Sequence, residues 1–211
     1  MKIALIGGTG RIGQRIALEA LKRGHEVTSI ERNPERSTIN DPHFKAVQGD
    51  ARDAAQIANL IAGNDLLISA FGTAGNQPDS VLSDVARALI QAVKQTGVKR
   101  LIVVGGAGSL EVAPGVQLMD TPEFPEAWKS NARGQAEALK VYRASDVNWT
   151  YVSPAGLIEP GERTGTYRLG TDQLVTDEKG ESRISMEDFA VAILDEVEKP
   201  QFERRRFTAA Y

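Results

Sequence analysis

Three glycines near the amino terminus have a spacing that could bind the phosphates of a dinucleotide. The stretch IGGTGRIG places Gly7, Gly10 and Gly13 at intervals of three, directly after an apolar run over residues 3–6. The first glycine would permit a tight turn, the second a close approach of a pyrophosphate, and the third close packing of a helix on the strand. The helix start would add unpaired N–H groups and the positive end of its dipole. Glycine-rich turns also occur without a ligand, so the context must decide.

That context is a regular alternation of strand and helix patterns. Apolar residues recur at helical spacing from Ile12 to Leu21, and Gly24 ends that pattern before a second strand over 25–30. Further strands are predicted over 43–50, 65–72, 100–108 and 148–153, and further helices over 51–63 and 78–96. The alternation predicts an α/β fold, a Rossmann-type doubly wound parallel sheet with helices on both faces. We expect a single domain over 1–211, in which residues from about 154 add a small substrate-side elaboration.

The carboxy-terminal third carries different signals. Turn residues Gly170 and Gly180 divide a polar and apolar alternation over 163–185, which predicts a small strand pair lying over the site. Ser185 is predicted to cap a helix, with Asp188 three residues later in a capping-box arrangement. The last residues, 204–211, predict an edge strand with solubilising arginines.

Composition excludes several kinds of function. A formal net charge of −3 gives no electrostatic reason to expect binding to nucleic acid or to an anionic membrane. The chain has no cysteine, so disulfides, thiolate metal sites and a cysteine nucleophile are absent, and no metal site is expected. The first apolar run is too short for a signal peptide or a membrane span, and a cytoplasmic location is the default expectation.

Residues that follow the strands are the predicted cofactor site, because ligands of open parallel sheets lie beyond the carboxyl ends of the strands. Asp50 could accept a hydrogen bond from an adenine amino group or simply cap a helix. Ordinary packing at the strand ends is the alternative for the others. The predicted cofactor-binding residues are Gly7, Thr9, Gly10, Arg11, Ile12, Glu31, Arg32, Asp50, Ala51, Ala70, Phe71, Gly72, Gly105 and Gly106.

The end of the second strand gives conflicting signals about which nicotinamide cofactor is bound. Glu31 could bond the ribose hydroxyls of NAD and repel a 2′-phosphate. Arg32, with Arg36 close by, could instead pair with the 2′-phosphate of NADP. NADP(H) is slightly favoured over NAD(H), because two guanidinium groups are near.

Motifs throughout the chain resemble one family. The pieces IGGTGRIG, GHEVTSIERNP, VGGAGSL, WTYVSPAGLIEPGERTG, YRLG and SRISMEDFAVAILDE are similar to the atypical short-chain dehydrogenase/reductases of the NmrA-like group. More narrowly, they resemble bacterial proteins assigned as NADH-flavin reductases, which are similar to biliverdin reductase B. The resemblance implies a Rossmann fold that binds NAD(P) and reduces flavins, quinones or similar acceptors. It also implies that Pro154, Ala155 and Gly156 lie beside the nicotinamide and that Arg32 contacts the 2′-phosphate, whereas Glu31 departs from the usual apolar residue.

The proton donor of the wider superfamily is missing. Typical members use the tyrosine of a Tyr-x-x-x-Lys motif, but the matching segment here reads EAWKSNARGQAEALK. Flavin or quinone reduction can take its proton from solvent, and orientation of the two rings is then the main task of the enzyme. Ser109 is the candidate catalytic donor, or a plain turn residue. On the substrate side, Trp128 could stack on a planar acceptor or simply pack at a helix start. Lys129 could orient the charge of the acceptor or be a solvated helix lysine, and Tyr167 is assigned to this side too.

The sequence therefore predicts an NAD(P)H-dependent oxidoreductase with a small-molecule acceptor. A flavin, a quinone or a similar planar molecule could be that acceptor. A redox sensor that binds NAD(P) without turnover and acts through a protein partner is the alternative, since the tyrosine is missing. A sugar-nucleotide epimerase or dehydratase shares the glycine motif but needs the tyrosine and a larger substrate domain. The oligomeric state is left open.

Overall fold

The computed structural model describes residues 1–73, 78 and 80–211, and its central feature is an eight-stranded sheet. The strands of the molecule are β1 (Lys2–Ile6), β2 (Glu26–Glu31), β3 (Phe44–Gln48), β4 (Leu66–Ser69), β5 (Leu101–Val104), β6 (Glu111–Ala113), β7 (Val116–Gln117), β8 (Trp149–Ser153), β9 (Leu157–Glu159), β10 (Arg168–Gly170), β11 (Arg183–Ser185) and β12 (Arg205–Ala210). The sheet order is β10-β12-β8-β5-β4-β1-β2-β3. All neighbours pair in parallel except β10, which is antiparallel to β12.

Helices cover both faces of this sheet, as predicted for a Rossmann-type fold. They are α1 (Arg11–Lys22), α2 (Ala54–Ile61), α3 (Ser80–Thr96), α4 (Glu126–Arg143) and α5 (Met186–Glu198). One apolar core packs α2, α3 and α4 against the sheet, and a second packs α1 and α5 against the opposite face. The predicted helix over 78–96 is thus observed from Ser80, and position 79 lies outside the described residues.

Burial on both faces explains the apolar strands. Every residue of β4 and of β5 is buried, because each strand lies inside the sheet with helices above and below. The carboxyl ends of β1, β2 and β4 therefore meet at one edge, where the chain must turn into α1 and into the segments after β2 and β4. That edge is where a ligand site is expected.

The prediction of a strand pair within 163–185 is wrong in its pairing. β10 adds to the edge of the central sheet beside β12, and β11 pairs in parallel with β9 in a separate two-stranded sheet. Local alternation predicts a strand but not its partner, which is set by the edge that tertiary packing leaves free. The short hairpin of β6 and β7 was not predicted at all.

The prediction of a carboxy-terminal edge strand is also wrong, and of its three arginines, predicted to be solubilising, only Arg204 and Arg205 are exposed. β12 lies inside the sheet between β8 and β10, and most of its residues are buried. Arg206 is buried too, and its guanidinium donates to Asp172 Oδ1 at 2.9 Å. A short antiparallel strand that precedes β12 in sequence occupies the edge instead.

The cap of the last helix is confirmed. Ser185 is the N-cap of α5, and its hydroxyl accepts a hydrogen bond from the backbone N–H of Asp188 at 2.9 Å. The Asp188 carboxylate does not complete the box, because it accepts from Thr164 Oγ1 and from the N–H of Gly165. Every helix in the described part of the chain is too short or too polar to span a membrane.

Candidate functional site

The glycine turn has the geometry that a phosphate-binding loop requires. Gly7 has a φ of +82°, and a Cβ there would lie 2.7 Å from the carbonyl oxygen of Ala70. A Cβ on Gly13 would lie 2.0 Å from the carbonyl oxygen of Gly7, so helix α1 and the turn are packed backbone to backbone. Only glycine fits at these two positions.

The start of α1 suits an anion. Its N-cap residue is Gly10, which has no side chain with which to satisfy the first N–H groups, and its first turn contains no acidic residue. These N–H groups and the helix dipole would favour a phosphate at this place. The residues present therefore fit the pyrophosphate of a dinucleotide.

A cleft of about 750 Å³ runs along the carboxyl ends of the strands from this turn. It is bounded by the glycine turn, by the segments after β2, β3 and β4, and by single residues of α4, β9 and α5. The described residues that line it are Ile6, Gly7, Thr9, Gly10, Arg11, Ile12, Gly13, Ile30, Glu31, Arg32, Asn33, Arg36, Gly49, Ala51, Ala70, Phe71, Gly72, Thr73, Asn131, Ile158 and Met186. Most residues of the predicted cofactor set thus come together in one concave site, where their contact with a cofactor stays a prediction.

Glu31 lies in this cleft, but its carboxylate is already used by the protein. Oε1 accepts hydrogen bonds from Ser29 Oγ at 2.6 Å and from the backbone N–H of Thr9 at 3.1 Å. Oε2 accepts from Thr9 Oγ1 at 2.8 Å, and the side chain is buried. The end of β2 and the glycine turn are therefore fastened together through this carboxylate. Gly8 must be small as well, since a Cβ there would lie 2.2 Å from Ser29 Oγ.

Replacing Glu31 by alanine is expected to destabilise the protein by about 1–3 kcal/mol, because Ser29 and Thr9 would lose their acceptor while largely buried. Chemical denaturation of the two proteins would measure this difference. Glu31→Gln is the matched control, since it keeps one acceptor oxygen and the same shape. A Gln variant as unstable as the Ala variant would contradict the assignment of the hydrogen bonds as the cause.

Three arginines line the cleft and have no ion-pair partner among the described residues. Arg11, Arg32 and Arg36 are exposed, and their guanidinium groups form no hydrogen bond or ion pair within the described part of the chain. Asp50, near Arg32, is paired instead with Arg52 at 2.6 Å. That hydrogen bond, with a smaller contribution from Arg32, holds the pKa of Asp50 below its usual value. Asp50 itself does not line the cleft, whereas Gly49 and Ala51 on either side of it do.

Ser109 is not placed to act as a catalytic donor. Its side chain is buried outside the cleft lining, and its hydroxyl accepts a hydrogen bond from Arg206 Nη1 at 2.8 Å. The serine therefore joins the loop after β5 to β12. This corrects the prediction that Ser109 faces the reacting groups, which rested on its position after a strand.

Several other predicted cofactor residues lie outside the lining of the cleft. Gly105 packs against the Tyr151 ring, and the Gly106 carbonyl accepts from Ser153 Oγ at 2.9 Å. Pro154 and Ala155 are buried, and the N–H of Gly156 donates to Ser182 Oγ at 3.0 Å. Contact of these five residues with a cofactor stays a prediction.

The three residues assigned to the substrate side do not line the cleft. Tyr167 lies on the other side of α5, where its hydroxyl donates to Asp195, so that assignment is wrong. Lys129 pairs with Glu126 at 2.7 Å on the first turns of α4. The Trp128 ring is 55% exposed and meets Phe124 edge to face.

Sequence reasoning missed part of the cleft lining. The missed residues come from four separate parts of the chain and are Thr73, Asn131, Ile158 and Met186. Thr73 directly follows Gly72, the last residue predicted after β4, so including one more residue after that strand would have found it. The other three carry no local signal. Among the described residues, no cluster of His, Asp and Glu could hold a metal ion.

Comparison with known proteins agrees with this geometry. The sequence matches the model of a family described as NAD(P)H-binding over residues 7–200. A structure from Burkholderia pseudomallei, named as a candidate exported protein, is 48% identical, with 100% of each chain covered and a TM-score of 0.91. A candidate epimerase from Bacteroides thetaiotaomicron is 40% identical, covering 100% of this chain and 96% of that one, with a TM-score of 0.92.

A third structure, a candidate NADH-flavin reductase from Streptococcus pneumoniae, is 38% identical. The superposition covers 100% of this chain and 99% of the Streptococcus chain, with a TM-score of 0.87. The three structures share one fold, but their names differ in the activity they state. Fold alone does not choose between those names.

Proposed function

This chain belongs to the NAD(P)H-binding family, whose model spans residues 7–200, and on that premise we propose that it is an NADPH-dependent reductase. Its acceptor would be a flavin, a quinone or a similar planar ring. The likeness to a candidate NADH-flavin reductase supports the class of reaction. The choice of acceptor rests on the chemistry of the cleft.

The observation that carries the proposal is that the described residues of the cleft include no suitable proton donor. Among the described residues that line it there is no tyrosine, lysine or histidine. The arginines hold their protons too tightly to donate, and Glu31 already accepts three hydrogen bonds. Reduction of a simple carbonyl needs a proton at the oxygen, whereas a flavin or quinone can take that proton from water. The cleft therefore favours a planar redox acceptor.

The tyrosines nearest to α4 do not supply the missing acid. Tyr142 and Tyr151 are buried in the core, and burial raises the pKa of both phenols. The hydroxyl of Tyr151 donates to Gln135 Oε1 at 2.9 Å. Both rings support α4 and β8 rather than contact a ligand.

Two features support NADPH over NADH. The Glu31 carboxylate could bond a ribose hydroxyl, but it is turned inward to Ser29 and Thr9. The guanidinium groups of Arg32 and Arg36 are free to pair with a 2′-phosphate. Glu31 therefore gives little support to NADH, and the two arginines support NADPH.

When bound, the cofactor would supply a hydride, and with one proton from water this reduces the acceptor by two electrons. The chain itself has to bind and orient. The glycine turn and the start of α1 would hold the pyrophosphate, and the arginines the 2′-phosphate. Phe71, Ile158 and Met186 would present apolar surface to the acceptor ring. Catalysis would come from placing the two rings face to face.

The test is steady-state oxidation of NADPH and NADH by the full chain, followed through nicotinamide absorbance, with FMN, lumiflavin and menadione as acceptors. Calorimetry would measure the binding of each cofactor separately. Turnover with at least one of these acceptors, faster with NADPH, is expected. Tight NADPH binding without turnover of any acceptor would overturn the proposal and favour a redox sensor.

The same measurement separates the reductase from an epimerase, the name given to the Bacteroides structure. An epimerase regenerates its cofactor and would show no net oxidation of NADPH. The cleft supports the reductase here, since its described lining residues include no tyrosine to move a proton. A need for reduced cofactor also supports a cytoplasmic location, whereas the Burkholderia structure is named as an exported protein.

A further inference from the structure

Asn131 is a polar side chain at the far end of the cleft, on the opposite side of β1 from Arg32 and Arg36. It belongs to the first half of α4, and its amide Nδ2 donates to Thr73 Oγ1 at 2.6 Å. Both residues line the cleft. The bond joins α4 to the segment that follows β4, between residues 58 positions apart in the chain.

This bond uses only part of the hydrogen-bonding capacity of the amide. An asparagine has two N–H donors and a carbonyl oxygen that can accept. One donor goes to Thr73, and the amide makes no other hydrogen bond to the described residues. One N–H and the oxygen Oδ1 are left without a partner among the described residues. An adjacent donor and acceptor of this kind match the edge of an amide or imide.

The helix that carries Asn131 is fixed one turn further on. Gln135, four residues later, accepts from the Tyr151 hydroxyl through both its backbone carbonyl, at 3.1 Å, and its Oε1, at 2.9 Å. A Cβ on Gly106 would lie 3.2 Å from Gln135 Cγ, so α4 packs tightly against the loop after β5. Asn131 is therefore presented to the cleft from a rigid support.

Apolar side chains line the same cleft as Asn131. They are those of Phe71, Ile158 and Met186. A flat ring could lie among them with one polar edge toward the amide. A flavin has this combination, because its isoalloxazine ring carries an imide edge with an N3–H beside two carbonyl groups. A quinone has carbonyl groups but no such donor.

We propose that Asn131, oriented by Thr73, is the residue that selects a flavin by binding the imide edge of its ring. The inference rests on the proposed function and names the acceptor within it. The carboxamide of the nicotinamide is the other source of the same chemistry. The apolar residues that line the same cleft favour the larger acceptor ring, and the experiment separates the two.

The test uses lumiflavin, which has no phosphate to reach the arginines, and 3-methyllumiflavin, in which a methyl group replaces the imide hydrogen. Binding of each to the full chain saturated with NADP⁺ would be followed by quenching of flavin fluorescence. The wild type is expected to bind lumiflavin about five- to tenfold more tightly than the methylated ring, the worth of about one net hydrogen bond. In Asn131→Ala this ratio should fall to about one.

Glu137→Ala is the matched control, because Glu137 is exposed on the same helix, does not line the cleft and pairs only with Lys140. It should keep the wild-type ratio. Asn131→Ala should fold normally, since Asn131 is exposed and alanine favours a helix. Its NADPH affinity should be unchanged, and its kcat/KM should fall for lumiflavin but not for menadione.

Three results would overturn the inference. The first is that the wild type does not bind lumiflavin, and the second is that it binds the two flavins equally. The third is that Asn131→Ala loses the same affinity for both flavins and also binds NADPH more weakly. The last would place Asn131 at the nicotinamide carboxamide. Flavin selectivity that depends on Asn131 without any NADPH turnover would instead uphold the inference and refute the proposed reductase.

Discussion

Replacing Gly13 by alanine is expected to destabilise the fold and to weaken cofactor binding. The new Cβ would lie 2.0 Å from the carbonyl oxygen and 2.7 Å from the carbonyl carbon of Gly7, and 3.0 Å from Gly8 Cα. All three are backbone atoms, so the turn or the helix has to move. Overpacking of this kind costs about 1–3 kcal/mol. Thermal unfolding would measure this cost.

Cofactor affinity should fall as well as stability. The displaced turn would no longer aim the N–H groups at the start of α1 toward one phosphate position. Each hydrogen bond to a charged group is worth about 1.5–3 kcal/mol, so losing one or two should raise the Kd for NADPH at least about tenfold. Calorimetry would measure that Kd.

Gly24→Ala separates the effect of the clash from that of backbone strain. Gly24 has a φ of +79°, but a Cβ there would meet nothing within 4 Å. It should cost about 1–2 kcal/mol through its left-handed conformation and leave NADPH binding unchanged. Wild-type affinity in Gly13→Ala would show that the glycine turn does not hold the cofactor.

Replacing Arg32 and Arg36 together by serine is expected to remove the preference for NADPH. Both guanidinium groups line the cleft and form no ion pair within the described part of the chain, so they can pair with a 2′-phosphate. A charge-assisted bond is worth about 1.5–3 kcal/mol, which predicts a rise of about 10- to 100-fold in the Kd for NADPH per arginine. The Kd for NADH should stay the same, because it lacks that phosphate.

Arg52→Ser is the matched control for charge. Arg52 is exposed and close to the same segment, but it pairs with Asp50 and does not line the cleft. It should leave both affinities within about twofold of wild type, since an exposed ion pair contributes little. If the double variant lost affinity for NADH and NADPH equally, the arginines would be binding the common pyrophosphate, and the assignment of NADP would be wrong.

The sequence was sufficient for the architecture and for the near half of the cleft. Strand and helix periodicities, with glycines where backbones meet, are local properties of the chain, and they predicted the parallel sheet and the residues after β1, β2 and β4 correctly. Gly13 is the clearest case, because its close contact is with a residue only six positions away. A ligand site at strand ends follows from the topology of such a sheet.

Side-chain direction was decided by tertiary packing alone. The residue types at the end of β2 could not show that Glu31 turns inward to Ser29 and Thr9 while the arginines stay free. Ser109 looked like a donor after a strand, but a buried arginine 97 residues away uses its hydroxyl. A buried charge needs a partner wherever the fold provides one, and sequence spacing does not reveal that partner.

The far end of the cleft also depends wholly on the tertiary structure. Asn131 reaches Thr73 only because α4 packs beside α3 and over the segment after β4. Ile158 and Met186 join them from the two-stranded sheet and the start of α5, whose pairings are non-local. The sequence by itself predicted the glycine turn where a dinucleotide would bind, since that turn depends on local backbone geometry. Which side chains meet the acceptor was decided only when distant segments were brought together.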